Sequence, residues 1–399
     1  MTERTVVVGT TPPRGAVGLG SIFRGLPRVS IPRPEPRDFF FLGVFVLVAM
    51  GVVMIFSASA FHWLAVDDPY YFLRRQLAWL VIATLAGIFC YQVDYRILKR
   101  YHRAIFLVVL ILLVAVLIPQ LGRNVNASRR WLPLGGGLQV QPSELAKLAT
   151  MIFVAGFIDA DPERSRRFWK GFVPLSLAVL PVFSLVLIEP DFGTSVFIAV
   201  LAFGLIVLGG VPWRYLLASA LVFAPIISVF VYVRREQIQS RLLGFLDPEK
   251  VYQVKHSLIA LGSGGWAGRG LGAGGQKHQF LPEAHTDFIF SILGEELGFL
   301  GALSVVVLFV VVLWSGTLMV LRFRDTFGFL LGAGITLALT LQAALNLAVV
   351  TASAPTKGIP LPFMTFGGSG LCVTLAQVGI LLSIDRVHRE EAARASSEP

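Results

Sequence analysis

The stretch Gly171–Val211, GFVPLSLAVLPVFSLVLIEPDFGTSVFIAVLAFGLIVLGGV, decides the fold. Residues 171–188 and 192–211 carry no charge, and each run is long enough to cross a hydrocarbon core as a helix. The only charged residues, Glu189 and Asp191, sit at the joint between them. The composition extends this reading outward. Of 399 residues, 55% are apolar and only 15% are charged, against about 25% charged in soluble chains. Mean hydropathy is +0.74. The chain therefore reads as an all-α polytopic membrane protein. A water-soluble enzyme, a secreted disulfide scaffold and a disordered regulator are excluded. Cys90 and Cys372 are the only cysteines and both lie in apolar runs, so a disulfide framework or zinc site is not indicated.

Ten membrane helices are expected, at 38–61, 74–93, 104–121, 143–158, 171–188, 192–211, 213–233, 286–321, 326–353 and 366–385. One large outer loop, 234–285, separates the seventh from the eighth. The fourth carries the weakest membrane signal, with Glu144 and Lys147 in its first turns. The eighth would measure about 54 Å at 1.5 Å per residue, so one end must project, tilt or break. Residues 1–37, rich in Pro, Gly and Arg, read as a disordered basic tail, with no apolar run after Met1 to mark a cleavable signal. The domain is 38–386, and 387–399 is a short tail. The net charge of +10 does not indicate nucleic acid, because the basic residues cluster in short loops. Counted there, 20 Lys and Arg lie on the side of the N-terminus and 7 on the other. Both termini are thus expected to be cytoplasmic.

The outer helix ends carry acids, bases and amides together: Arg129 and Arg130; Gln141, Glu144 and Lys147; Glu189 and Asp191; Glu283, His285 and Asp287; and Lys357. Helix caps and interfacial anchors would account for any one of them. The mixed-sign set favours a polar site at the outer surface. In QPSELAK, 141–147, Pro142 suits a first helical turn, and Glu144 and Lys147 share a face. A capping acid paired with a lysine fits, and so does a phosphate pocket at a helix N-terminus. In LPEAHTDFIF, 281–290, Thr286 is expected to cap the eighth helix with Asp287 in its first turn. Asp287 is either a dipole-complementing acid or a general base. Glu295 and Glu296, deeper along the helix, are expected to face the bundle interior and support the site. The glycine-rich GSGGWAGRGLGAGG, 262–275, matches a dinucleotide pattern only weakly, since no strand precedes it. It reads as a flexible or re-entrant loop. The six histidines show no metal-ligand spacing.

Six segments then occur in order: ASRRW (127–131), QPSELAK (141–147), EPDFGTS (189–195), YQVKHSLIALGSGG (252–265), LPEAHTDFIFSILGEELG (281–298) and PTKGIPLPFMTFGGSG (355–370). With these the chain resembles the SEDS family (shape, elongation, division and sporulation) over about 38–386. GEELG and PTKG look more like the division branch than the elongation branch. Thr365, Phe366 and Gly370 depart from the family pattern, which has Ser, Tyr and Ser there. The resemblance implies a peptidoglycan glycosyltransferase of the bacterial cytoplasmic membrane, acting at the division septum. It would transfer the growing glycan from undecaprenyl diphosphate to the GlcNAc 4-hydroxyl of lipid II. By family motif Asp287 is the catalytic base, and Lys147 with Glu144 holds the diphosphate. Arg130 and Lys357 are candidates for phosphate or sugar contacts, and Glu283 and Glu296 for the surrounding site. The partners implied are a class B penicillin-binding protein transpeptidase and other division proteins. No cofactor is assigned, and a divalent cation at the diphosphate is left open. A lipid II flippase or a non-catalytic division scaffold are the alternatives.

Overall fold

The computed structural model describes residues 34–397 apart from 60–67, 69, 126–127, 136–137, 234, 248, 250 and 279. The expected tail thus lies almost wholly outside the described residues. Pro36–Pro399 forms one compact unit. Its elements begin with α1 (Pro36–Ser59), α2 (Tyr71–Gln92) and α3 (Arg96–Leu117), then a small sheet of β1 (Arg123–Val125), β2 (Ser128–Gly135) and β3 (Leu138–Val140). There follow α4 (Pro142–Ala160), α5 (Pro162–Ser165), a π-helical turn at Phe168–Phe172, α6 (Val173–Ile188), α7 (Phe192–Leu208) and α8 (Arg214–Val233). The chain ends with α9 (Arg235–Leu246), α10 (Tyr252–Ser263), α11 (Ile289–Val320), α12 (Thr326–Val350) and α13 (Gly368–Ser397). Among the described residues seven helices are long and apolar enough to cross a membrane, and α7 and part of α8 are shorter apolar helices. The fold class is the expected one. The count of ten crossings is not established by length and apolarity.

The helix with the weakest expected membrane signal is central. α4 buries Ser143, Glu144, Lys147 and Thr150 along with its apolar residues, and packs on α3, α7 and α12. A helix surrounded by protein needs no lipid-compatible surface, and polar residues in a bundle face its interior. α3 starts eight residues before the expected position. Its basic first turns are held by partners: Lys99 Nζ lies 2.6 Å from Asp159 Oδ2, and Arg96 Nη2 lies 2.5 Å from Glu391 Oε1. α13 likewise continues to Ser397, through most of the expected tail.

The eighth expected helix breaks. Gly298 has φ 69° and ψ −167° inside α11, a backbone state open essentially to glycine. The 22 residues after it span about 33 Å, close to a hydrocarbon thickness of ~30 Å. The nine before it carry the polar load. Backbone amides of Gly275 and Gln276 donate to Glu295, and that of Gly272 donates to Glu296. Lys277 Nζ donates to Glu296 Oε1 at 2.6 Å and to Ser57 of α1 at 3.1 Å. The glycine-rich segment is thus stapled onto α11, its glycines allowing the amides to converge on two carboxylates. α10 is bound too: the Ser257 hydroxyl shares a 2.7 Å hydrogen bond with Ser291 and donates to the Val350 carbonyl. The expected loop 234–285 therefore contains two helices, α9 and α10.

The segment between α3 and α4 also has structure. β1, β2 and β3 pair antiparallel in that order, with β2 carrying Arg130 and Trp131.

Candidate active site

A polar cavity of about 330 Å³ opens where the N-terminal turns of α4, α7 and α13 meet β2 and the segments 283–287 and 358–367. Asp287, Glu283, Arg130 and Glu144, four of the seven residues that the family resemblance assigns to the site, line it. Trp131, Asp191, Thr194 and Gln342 line it too, as do all three positions departing from the SEDS pattern, Thr365, Phe366 and Gly370. A side chain at Gly370 would begin 3.9 Å from Glu144 Oε2, so the missing serine leaves space beside that carboxylate.

Asp287 is not in a helical turn. α11 starts at Ile289, and its N-cap, Phe288, makes no side-chain capping bond. Thr286 does not cap it either. Its hydroxyl donates to Glu283 Oε2 at 2.8 Å, closing a turn in which Glu283 takes φ 57°. Phe363, which also lines the cavity, takes φ 68°. Such strained backbone persists where the surroundings fix it, and clusters at functional sites. The fixing residue here is Asn346 of α12. Its Nδ2 donates both to the Asp287 carbonyl (2.9 Å) and to the Ile359 carbonyl (2.8 Å), tying the two loops to one rigid helix. Asp287 Oδ2 faces Gly358, where a Cβ would stand 3.1 Å away. Burial, then the charges of Glu283 and Asp191, push the Asp287 carboxyl up to about 7, with Arg130 opposing.

Lys147 lies behind the wall, not on it. Its ammonium is 2.8 Å from Glu144 Oε2 and donates to Gln342 Oε1 at 2.9 Å. Gln342 in turn donates to the Pro360 carbonyl. The pair predicted by spacing is present, but Glu144 and Gln342 stand between Lys147 and the cavity. Arg130 is the cation on the wall. Its Nε and Nη2 donate to the Glu189 and Pro190 carbonyls at 2.9 and 2.6 Å, and its Nη1 is 3.8 Å from Asp191 Oδ2. Asp191 caps α7 through Thr194. Glu189 is fully buried with neither carboxylate oxygen hydrogen-bonded. Burial and Asp191 raise it to about 8, against Arg130.

Two expected site residues stand elsewhere. Glu296 is held by Lys277 and Ser57, away from the cavity wall, because the glycine-rich segment covers it. Lys357 also lies off the wall, with its ammonium 5.3 Å from the centre of the Phe192 ring. Sequence reasoning passed over Gln342 and Asn346. Their signal was available: two amides four apart on an otherwise apolar helix share one face. Among the described residues no three of His, Cys, Asp and Glu stand together as metal ligands.

A family model described as "Cell cycle protein", covering FtsW, RodA and SpoVE, matches residues 37–390. The chain belongs to the FtsW/RodA/SpoVE family. Its relatives include the probable peptidoglycan glycosyltransferase FtsW of Trichlorobacter lovleyi, 37% identical over 86% of this chain and 91% of the relative. The FtsW of Burkholderia thailandensis is 37% identical over 94% of this chain and 84% of its own. Among solved structures, a chain of a peptidoglycan synthase complex that coordinates polymerization and crosslinking aligns with TM-score 0.71. It is 29% identical and covers 87% of this chain and 96% of that one. The rod shape determining protein RodA of Thermus thermophilus aligns with TM-score 0.65, 29% identity, and 87% and 95% coverage. This FtsW/RodA/SpoVE member is accordingly a multi-pass membrane protein of the SEDS fold.

Proposed function

We propose that the chain is a peptidoglycan glycosyltransferase that polymerises lipid II, moving the growing glycan from undecaprenyl diphosphate to the GlcNAc 4-hydroxyl of lipid II during septal wall synthesis. The observation that carries this is a buried carboxyl, Asp287, raised to about 7 on the wall of a polar cavity that also presents a guanidinium. A base poised near the working pH is what deprotonation of a sugar hydroxyl needs. Asp287 takes the hydroxyl proton, the oxygen attacks the anomeric carbon from the face opposite the diphosphate, and the carbon–oxygen bond to the diphosphate breaks. The departing electron pair goes to the diphosphate. Arg130 on the wall and the charge of Lys147 just behind it offset the negative charge that develops. The bond energy already in the diphosphate drives the step.

Asn346 and Gln342 position this chemistry by anchoring the 287 and 359–360 carbonyls to α12. Glu144 orients Lys147. Glu296 belongs to the support beneath the glycine-rich segment, and Lys357 to the rim. The basic loops favour cytoplasmic termini, and in that orientation the cavity opens on the outer face, where lipid-linked disaccharides are displayed.

The partner is a class B penicillin-binding protein transpeptidase that cross-links the strands, within the division assembly. α11 supports this with an outward apolar stripe, Leu303, Val307, Val310 and Trp314, at spacings that share a helix face. α12 is mostly buried, so of these two neighbouring helices α11 is the one that offers such a surface. The deciding experiment is incubation of the purified chain with lipid II in detergent. Glycan polymer formed without compartments supports a polymerase. Its absence with and without the transpeptidase returns the flippase or scaffold reading.

A further inference from the structure

Along the first half of α13, past the active-site cavity, the helices α1, α2 and α13 leave an apolar groove of about 670 Å³. Phe41 and Val48 of α1, Leu80 and Ile88 of α2, and Leu375 and Leu382 of α13 form its walls. α2 and α13 touch backbone to backbone beside it: a Cβ on Gly379 would fall 2.1 Å from the Gly87 carbonyl oxygen. Larger residues there would separate the helices and open the groove into a gap.

Its polarity is one-sided. Arg37, Asp38 and Tyr91 form one end, and the rest is apolar apart from Thr84. Arg386 stacks its guanidinium 5.2 Å from the Tyr91 ring centre. It donates one Nη2–H to the Gln92 carbonyl, and its Nε is buried with no acceptor. A second pocket, holding Arg322, Arg324 and Arg389 with Asp385 and Glu391, adjoins this rim, since Arg37 and Arg322 are both charge neighbours of Asp385. The acids there are engaged: Asp38 with Arg37, Glu391 with Arg96, and Asp385 with Arg389. Six arginines, Arg96 included, stand with Asp38, Asp385, Glu391 and the His388-bound Asp325, so the rim attracts an anion.

Length decides the kind of occupant. From Arg37 to Val48, the last α1 residue on the wall, the helix rises about 16 Å. That is about one leaflet, half of a ~30 Å hydrocarbon core. A partner's transmembrane helix would need the whole thickness. An acyl chain whose headgroup sits at the rim needs one half.

We propose that this groove is a site for an anionic glycerophospholipid, with one acyl chain between α1, α2 and α13 and the phosphate held by Arg37 and Arg386. Basic pockets between transmembrane helices bind anionic headgroups by this logic. The site is independent of the glycosyl-transfer cavity.

The test uses the full chain, delipidated in detergent, with dioleoylphosphatidylglycerol or dioleoylphosphatidylcholine added, and native mass spectrometry of retained lipid. One phosphatidylglycerol retained in preference to phosphatidylcholine is expected. Arg37→Gln and Arg386→Gln should each weaken retention about fivefold. Thr84→Trp, on the outward wall, should block the chain while leaving the arginines in place. It keeps the test alive if the arginine variants unfold in a thermal melt. Equal retention of the two lipids overturns the headgroup assignment. Unchanged phosphatidylglycerol retention in folded Thr84→Trp overturns the groove.

Discussion

The pH dependence of polymerisation should follow Asp287 and move when its neighbour Glu283 is changed. A general base acts only when ionised. With the carboxyl at about 7, roughly 9% is ionised at pH 6 and roughly 91% at pH 8, so the rate should rise about tenfold across that interval. Burial is the largest cause of the elevation and the Glu283 charge is the next. Glu283→Gln removes the second and keeps the first. The rising limb should therefore move to lower pH without reaching the ordinary carboxylate range near 4. Arg130→Gln should move it upward, because Arg130 opposes the elevation. Glu189 titrates nearby, at about 8. It is not among the charges acting on Asp287, so Glu189→Gln should leave the limb in place. The assay is the initial rate of glycan formation at limiting lipid II, across about pH 5.5 to 8.5 at constant ionic strength, where the profile reports the free enzyme. A flat profile, or one that Glu283→Gln leaves unmoved, refutes the reasoning.

Lys147→Ala should cripple turnover, Lys147→Arg should retain part of it, and Glu144→Ala should do less harm. Because Lys147 sits behind Glu144, the double variant Lys147→Ala/Glu144→Gln should recover activity over Lys147→Ala alone; no recovery in lipid II turnover would mean that Lys147 acts on substrate directly. Lys277→Met leaves Glu296 buried without its partner, which typically costs about 3–5 kcal/mol, and should lower the thermal midpoint while loosening the glycine-rich segment to proteolysis. A cognate transpeptidase with its active site blocked should still raise the polymerisation rate, and Val307→Trp/Val310→Trp on α11 should abolish that rise without changing the chain's own rate.

The membrane fold was legible because transfer into lipid is decided residue by residue, and apolar runs such as 192–211 carry that signal locally. α4 was the faintest because its polar residues meet protein, a fact that lies in Gln342, nearly two hundred residues away. The break at Gly298 was signalled only as excess length. Its position depends on amides of the glycine-rich segment reaching Glu295 and Glu296, which no local pattern reports. The sheet that carries Arg130 has two strands of only three residues, and its eight-residue strand, SRRWLPLG, does not alternate polar with apolar. In the site, Asp287, Glu283, Arg130 and Glu144 converge as their shared side of the membrane suggested. The order of layers was not legible: whether Lys147 or Gln342 faces the cavity depends on how α4 and α12 are rotated against each other. Glu296 and Lys357 have the right chemistry and side, and packing turns them elsewhere.

Asp287→Asn keeps the size of the side chain and removes its ability to take a proton. The direct measurement is glycan polymer formed from purified lipid II in detergent by wild type and Asp287→Asn, each with the same cognate transpeptidase and with equal thermal midpoints. General-base catalysis contributes about 100-fold or more, so the account predicts polymer from wild type and at least a 100-fold loss in the variant. Near-normal polymer from Asp287→Asn would contradict it.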